Sequence, residues 1–265
     1  MATRLAARNG GRVGLAALVA ILLLGTGLRV GEAWDGRAPV YDAAAYAAIA
    51  ANLERSDGFT VGASATQPSS NYSPGLPLLV AGAYKATGGV HERLARLLLA
   101  AIGTLSILFA YLLGCRLRRC MDFPAHSREN ARSAADGSGA VAGLIAAGAV
   151  AVYPALVEYQ GMLMSEPLAA TLLSGAVLAM FWANDARETA GTSGSSPAHP
   201  LVRWLLPGTL LGALALVRPE YLGVAVLLGL TVFAAGFRSS WRQGLTAAAI
   251  LLAGVVLVVA PWTVR

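Results

Sequence analysis

The feature that most restricts this chain is a succession of apolar runs, at 13–30, 93–113, 140–157, 165–183, 204–217, 221–237 and 245–262. A helix needs about 20 apolar residues to cross the hydrocarbon core of a bilayer, and most of the runs approach that length. They are continuous runs, unlike the one-sided stripes of helices packed on a soluble core. Apolar residues make up 56% of the chain and charged ones 13%, too few charges to cover a soluble domain. The expected fold is all-α, a polytopic transmembrane helical bundle that forms a single domain over residues 1–265.

A formal net charge of +6 invites a nucleic-acid reading. The arginines, however, gather at the ends of apolar runs and form no continuous stripe, which fits membrane topology and leaves no nucleic-acid partner. Arg4, Arg8 and Arg12 precede the first run, as in a signal peptide. That run is longer than an h-region and no A-x-A site follows it, so it is read as a retained span. With a cytoplasmic N-terminus, the arginine-rich segments 116–132, 187–203 and 238–242 all fall inside. The acidic 31–72 segment and "VEYQGMLMSEP" then fall outside, as the positive-inside bias requires. This topology belongs to a multi-pass protein of the inner (plasma) membrane, with Asp42, Glu158 and Glu166 on its extracytoplasmic face.

Residues 31–92 form the first outer loop. Within it, Asp42 to Arg55 reads as a helix lying at the membrane surface, with Asp42, Tyr46, Ile49 and Leu53 on one face and "SDGF" stopping it at Gly58. Pro74 and Pro77 suit the first turn of another helix. Its apolar stretch ends near Tyr84, about half a crossing, so it is read as interfacial or re-entrant. The runs 204–217 and 221–237, joined by "RPE", are two short spans or one hairpin. Cys115 and Cys120 match neither a redox nor a zinc spacing. His91, His126 and His199 are scattered over three loops, so no histidine metal site is visible.

Carboxylates near a bilayer core need a partner, water or a task. Asp42, at the head of an alanine-rich helix, suits an N-cap; one oxygen can cap while the other faces a substrate. Glu166 opens the 165–183 span just before Pro167, where the helix dipole favours an acid. Glu158 shares its outer loop and reads as solvated. Arg218, beside Pro219 and Glu220, either pairs with Glu220 or snorkels, or grips an anion, because a guanidinium matches phosphate oxygens in a fork. Arg93 and Arg96 have the same potential. Tyr46 and Tyr72 either anchor the interface or line a sugar site.

Six stretches, in this order, resemble the N-terminal part of the GT-C superfamily, especially its family 39-like membrane glycosyltransferases. They are "YDAAAYAAIAANLERSDGF", "NYSPGLPLLVAGAY", "RLARLLLAAIGTLSILFAYLLGCRL", "VYPALVEYQGMLMSEPLAATLL", "GALALVRPEYL" and "VVAPWTVR". Protein O-mannosyltransferases and the enzymes that add aminoarabinose to lipid A belong to this group. The resemblance implies a polyprenyl-phosphate sugar donor and transfer to a lipid, glycan or protein acceptor on the extracytoplasmic face. It makes Asp42 the general base and Glu166 the second acid. Arg218, Arg93 and Arg96 become candidates for the donor phosphate, and Tyr46, Tyr72 and Glu158 for the substrate lining. Ala43 stands where many relatives carry a second acid, which argues against a metal there; a divalent metal as cofactor is otherwise left open. Relatives continue beyond the position of Arg265, so the chain is expected to be the N-terminal portion of a longer protein. The alternatives are a lipid or small-solute transporter resembling a flippase, and an inactive scaffold of the same family. Transporters place their charges near the midplane of repeated halves, and the chain shows no internal repeat.

Overall fold

The computed structural model describes residues 2–62, 67–121, 128–193, 202–237 and 240–264. They form the helices α1 (Ala2–Asp35), α2 (Asp42–Glu54), α3 (Gly75–Thr87), α4 (Glu92–Met121), α5 (Arg128–Ala151), α6 (Pro154–Gly161), α7 (Glu166–Ser193), α8 (Leu205–Val217), α9 (Tyr221–Phe237) and α10 (Trp241–Thr263). A short antiparallel pair, β1 (Thr60–Val61) with β2 (Gln67–Pro68), interrupts them. Among the described residues, four helical stretches are long and apolar enough to cross a membrane: Arg12–Asp35, Glu92–Arg118, Glu166–Asp185 and Trp241–Thr263. The bent pair Ser138–Ala151 and Pro154–Gly161 makes a fifth if it counts as one span. The chain divides into two compact units, Met1–Ala44 with His91–Pro167, and Ala45–Val90 with Leu168–Arg265.

In the first unit α1 packs on α4, α5 and α6. Leu18, Ile107, Ala147 and Ala151 make its buried centre. Gly114 of α4 and Gly143 of α5 let their backbones meet: a Cβ on Gly143 would lie 2.7 Å from the Tyr111 carbonyl oxygen. Such close approach is how helices gain van der Waals contact where the solvent is as apolar as the side chains.

The 140–157 run is not one straight helix; it bends by 43° between Ala151 and Pro154. Pro154 has no N–H to give to the Val150 carbonyl, and the bend leaves the Ala151 carbonyl without the next turn's donor. Arg29 of α1 supplies both. Its Nη2 donates to Val150 O at 2.9 Å, and its Nη1 to Ala151 O at 3.0 Å and to Gly25 O at 3.1 Å. Arg29 is fully buried inside the Arg12–Asp35 span.

Several boundaries differ from those expected. α1 runs on through Glu32 to Asp35, because the first breaker is Gly36, at φ +28°. Arg116, Arg118 and Arg119 continue α4 in place of a loop, and α7 extends to Ser193. α2 ends before Gly58: Ser56 takes the left-handed position, with its N–H on Leu53 O and the Asp57 N–H on Asn52 O. These two bonds are those of a Schellman motif.

The second unit is held by α8, α9 and α10, which pack on one another, with α3 set against α8. Gly208 and Gly254 bring α8 and α10 together, and a Cβ on Gly254 would lie 2.8 Å from Leu205 O. The buried Asn52 side chain ties α2 to β1: its Nδ2 donates to Thr60 O and Oγ1 at 3.0 Å and to Gly62 O at 3.1 Å.

Candidate active site

In the first unit Asp42 stands at the head of α2, exposed to solvent. Its expected capping role is absent. The first N–H groups of α2, on Ala43 and Ala44, go to the carbonyls of Val40 and Tyr41 at 3.1 Å. Among the described residues the Asp42 carboxylate accepts no hydrogen bond and forms no ion pair. Tyr41, just before it, is held at φ +51° although its side chain is 93% exposed. A left-handed non-glycine residue costs on the order of 1–2 kcal/mol, and such strain gathers at functional sites.

The connector that delivers Asp42 begins at Gly36, whose N–H returns to Glu32 O at 3.0 Å. The Arg96 guanidinium fills the place where a Cβ of Gly36 would stand, and donates to Glu92 Oε2 at 2.9 Å. Arg96 is thereby buried, turned toward the connector. Arg93 is exposed, with its guanidinium 4.8 Å from the Trp34 ring centre. Arg37, on the connector, donates to Glu158 Oε1 at 2.8 Å, so Glu158 is ion-paired where the sequence suggested a solvated acid.

Glu166 is half-buried in the first turn of α7, directly after the buried Ser165. Leu163, buried three residues earlier, is again left-handed at φ +55°. Each candidate acid thus follows closely on a strained residue that the sequence did not flag. Gln160 of α6 is wholly buried against Gly103, and neither of its amide atoms has a partner among the described residues. Leu, Tyr and Gln at these positions carry no local signal of strain or burial. Arg29 was equally hidden, because an arginine near the end of an apolar run reads as an interfacial anchor.

In the second unit Tyr46 and Tyr72 do come together, edge to face, with ring centres 5.8 Å apart. Arg218 ends α8, its N–H on Leu214 O at 2.8 Å and its Nη1 on Glu220 Oε1 at 3.3 Å. The Pro74–Gly75 turn lies against this end, where a Gly75 Cβ would be 2.8 Å from the Val217 nitrogen. Two of the motifs from distant parts of the sequence are therefore neighbours. Among the described residues no three His, Cys, Asp or Glu side chains converge as metal ligands. The Cys120, His126 and His199 side chains lie outside the described residues, and Cys115 is a free thiol.

No family model and no curated protein matches the chain. Among solved structures it matches the archaeal oligosaccharyltransferase AglB from Archaeoglobus fulgidus, solved in complex with an inhibitory peptide and a dolichol-phosphate, at a TM-score of 0.66 and 19% identity. The match covers 94% of this chain and 29% of that one, so the chain spans less than a third of that enzyme's length. At this identity the likeness speaks for the fold alone: an all-α, multi-pass membrane architecture like that of the matched part of AglB.

Proposed function

We propose that this chain is the membrane-embedded part of an inverting glycosyltransferase that takes a sugar from a polyprenyl-phosphate donor, with Asp42 as general base. The observation that carries the proposal is the Asp42 carboxylate itself, exposed, unengaged and delivered by a strained connector. The fold adds support, since the AglB structure was solved with a lipid phosphate and a peptide.

An acceptor hydroxyl is a weak nucleophile, so its proton passes to Asp42 as its oxygen bonds to the anomeric carbon. The carbon–oxygen bond to the donor phosphate breaks on the opposite face, and polyprenyl phosphate leaves with the electron pair. Guanidinium groups stabilise that charge. Arg93 and Arg218 take this role, while Arg96 acts one step back by holding Gly36 and the connector. Glu166 serves as the second acid and orients the acceptor. Tyr46 and Tyr72 offer aromatic faces to the sugar, and Glu158 lines the approach through its pair with Arg37. One base with one anion clamp suffices for inversion, whereas retention needs a nucleophilic carboxylate close by. The arginine distribution supports a cytoplasmic N-terminus, an extracytoplasmic site and residence in the inner membrane.

The test places the purified chain, and a longer parent if one is expressed, with radiolabelled polyprenyl-phosphate sugars and candidate lipid, glycan and peptide acceptors. Transfer of label supports the proposal. One observation favours a transporter, the broken α5–α6 pair braced by a buried arginine. Label that crosses vesicles without transfer decides for that reading.

A further inference from the structure

α6 is docked on the first unit without an apolar anchor of its own. It has eight residues and packs on α1 and α4. Its buried residues are Gln160 and Gly161, and its other side chains are half-buried or exposed. A helix ordinarily docks through large apolar side chains, and segments with few buried apolar contacts are the first to open. Gly161 gives closeness and no side chain: a Cβ there would stand 2.8 Å from the Glu32 carbonyl oxygen of α1. Gln160 opposes docking. Its amide is wholly buried beside Gly103 of α4, and neither its oxygen nor its nitrogen is hydrogen-bonded among the described residues. Buried groups of this kind keep their full desolvation penalty.

The anchor lies just beyond the helix. Leu163 is 1% exposed, so its side chain pins the turn that leaves α6, but its backbone is left-handed at φ +55°. A non-glycine residue stays in that region only where its surroundings hold it there. The N–H groups on either side of it, on Met162 and Met164, both go to the Tyr159 carbonyl, at 3.4 and 3.3 Å, long for hydrogen bonds. At its other end α6 meets the 43° bend, where Arg29 satisfies the α5 carbonyls whether α6 is docked or not. An unmet amide and a strained turn therefore oppose docking, and one apolar side chain favours it.

The connections of α6 give this balance a consequence. Glu158, on α6, accepts from Arg37 of the connector to Asp42 at 2.8 Å, and four residues separate Gly161 from Glu166. We infer that α6 and the turn 162–165 form a strap that docks and releases as one unit, and that its docking holds the approaches to both acids at once. The strap concerns motion alone and is independent of sugar transfer.

The test is hydrogen exchange, read by mass spectrometry on the full chain in neutral detergent. Where closing outpaces exchange, amides that open together share one opening constant. The amides of 155–164 should exchange together, about 100-fold faster than those of 97–113 in α4. Gln160→Met keeps the side chain's length and removes both polar atoms, so it should slow this segment about tenfold. Leu163→Ala cuts back the anchor and should speed the segment about tenfold; Leu163→Val, β-branched at a positive φ, serves if that variant does not fold. Protection of 155–164 equal to that of α4 would overturn the strap, as would either variant leaving the segment's rate unchanged. So would exchange graded from one end, with the variants felt only at 160–164, which is fraying.

Discussion

Replacing Arg29 by methionine removes the group that completes the α5–α6 break. The Gly25 carbonyl lies inside α1, so it keeps its own helical N–H. The carbonyls of Val150 and Ala151 do not, because Pro154 has no N–H and the 43° bend withdraws the following turn. Each buried carbonyl left without a donor costs about 1–3 kcal/mol. Burying the guanidinium itself carries a desolvation penalty that the variant escapes, and bonds between helices in membranes average nearer 0.6 kcal/mol. The net expectation for Arg29→Met is a loss of about 2–4 kcal/mol. Pro154→Ala restores an N–H that reaches Val150 O once Tyr153 leaves its extended ψ of 114° for the helix, so it should return about 1–2 kcal/mol in the Arg29→Met background. The assay is unfolding by SDS in mixed micelles, followed by circular dichroism, on wild type, both single variants and the double. Additivity within about 0.5 kcal/mol, the behaviour of independent sites, would refute the brace, as would an Arg29→Met variant as stable as wild type.

Other perturbations follow from contacts of the same kind. Gly208→Val should destabilise by about 1–3 kcal/mol in the same unfolding assay, since its side chain would press on the Leu251 carbonyl of α10. Asn52→Ala should cost about 1–3 kcal/mol and speed hydrogen exchange at Thr60 and Gly62, whose oxygens it now bonds. Tyr41→Gly should stabilise by about 0.5–1 kcal/mol, relief of the left-handed strain exceeding the entropy of an added glycine; with 93% of the tyrosine exposed, little packing is lost.

The membrane class and the helical elements were legible in the sequence because long apolar runs leave a chain few options. The start of α2 at Asp42 was equally open to reading, from its acid, whereas α3 runs past the expected end near Tyr84 to Thr87, where Gly88 takes φ +73°. The α5–α6 break was not legible. Pro154 stands among apolar residues that suit an uninterrupted span, and only the packing of α1 shows where the freed carbonyls go. The site was legible in its residue types and not in their engagements. Arg93 and Arg96, three apart on one helix, look interchangeable, yet one is exposed beside Trp34 and the other fills the space left by Gly36. Which guanidinium is accessible depends on the missing Cβ of a glycine 60 residues away in sequence. Likewise, the cap expected of Asp42 fails because the helix already begins at Asp42, and the Ala44 N–H two residues on goes to the Tyr41 carbonyl.

The most direct measurement is single-turnover transfer by Asp42→Asn with a polyprenyl-phosphate sugar donor, alongside the donor's dissociation constant. The change keeps the side chain's size and removes its basicity. The account predicts donor binding within about threefold of wild type and transfer slower by about 10²–10⁴-fold. Transfer at the wild-type rate would contradict Asp42 as the base.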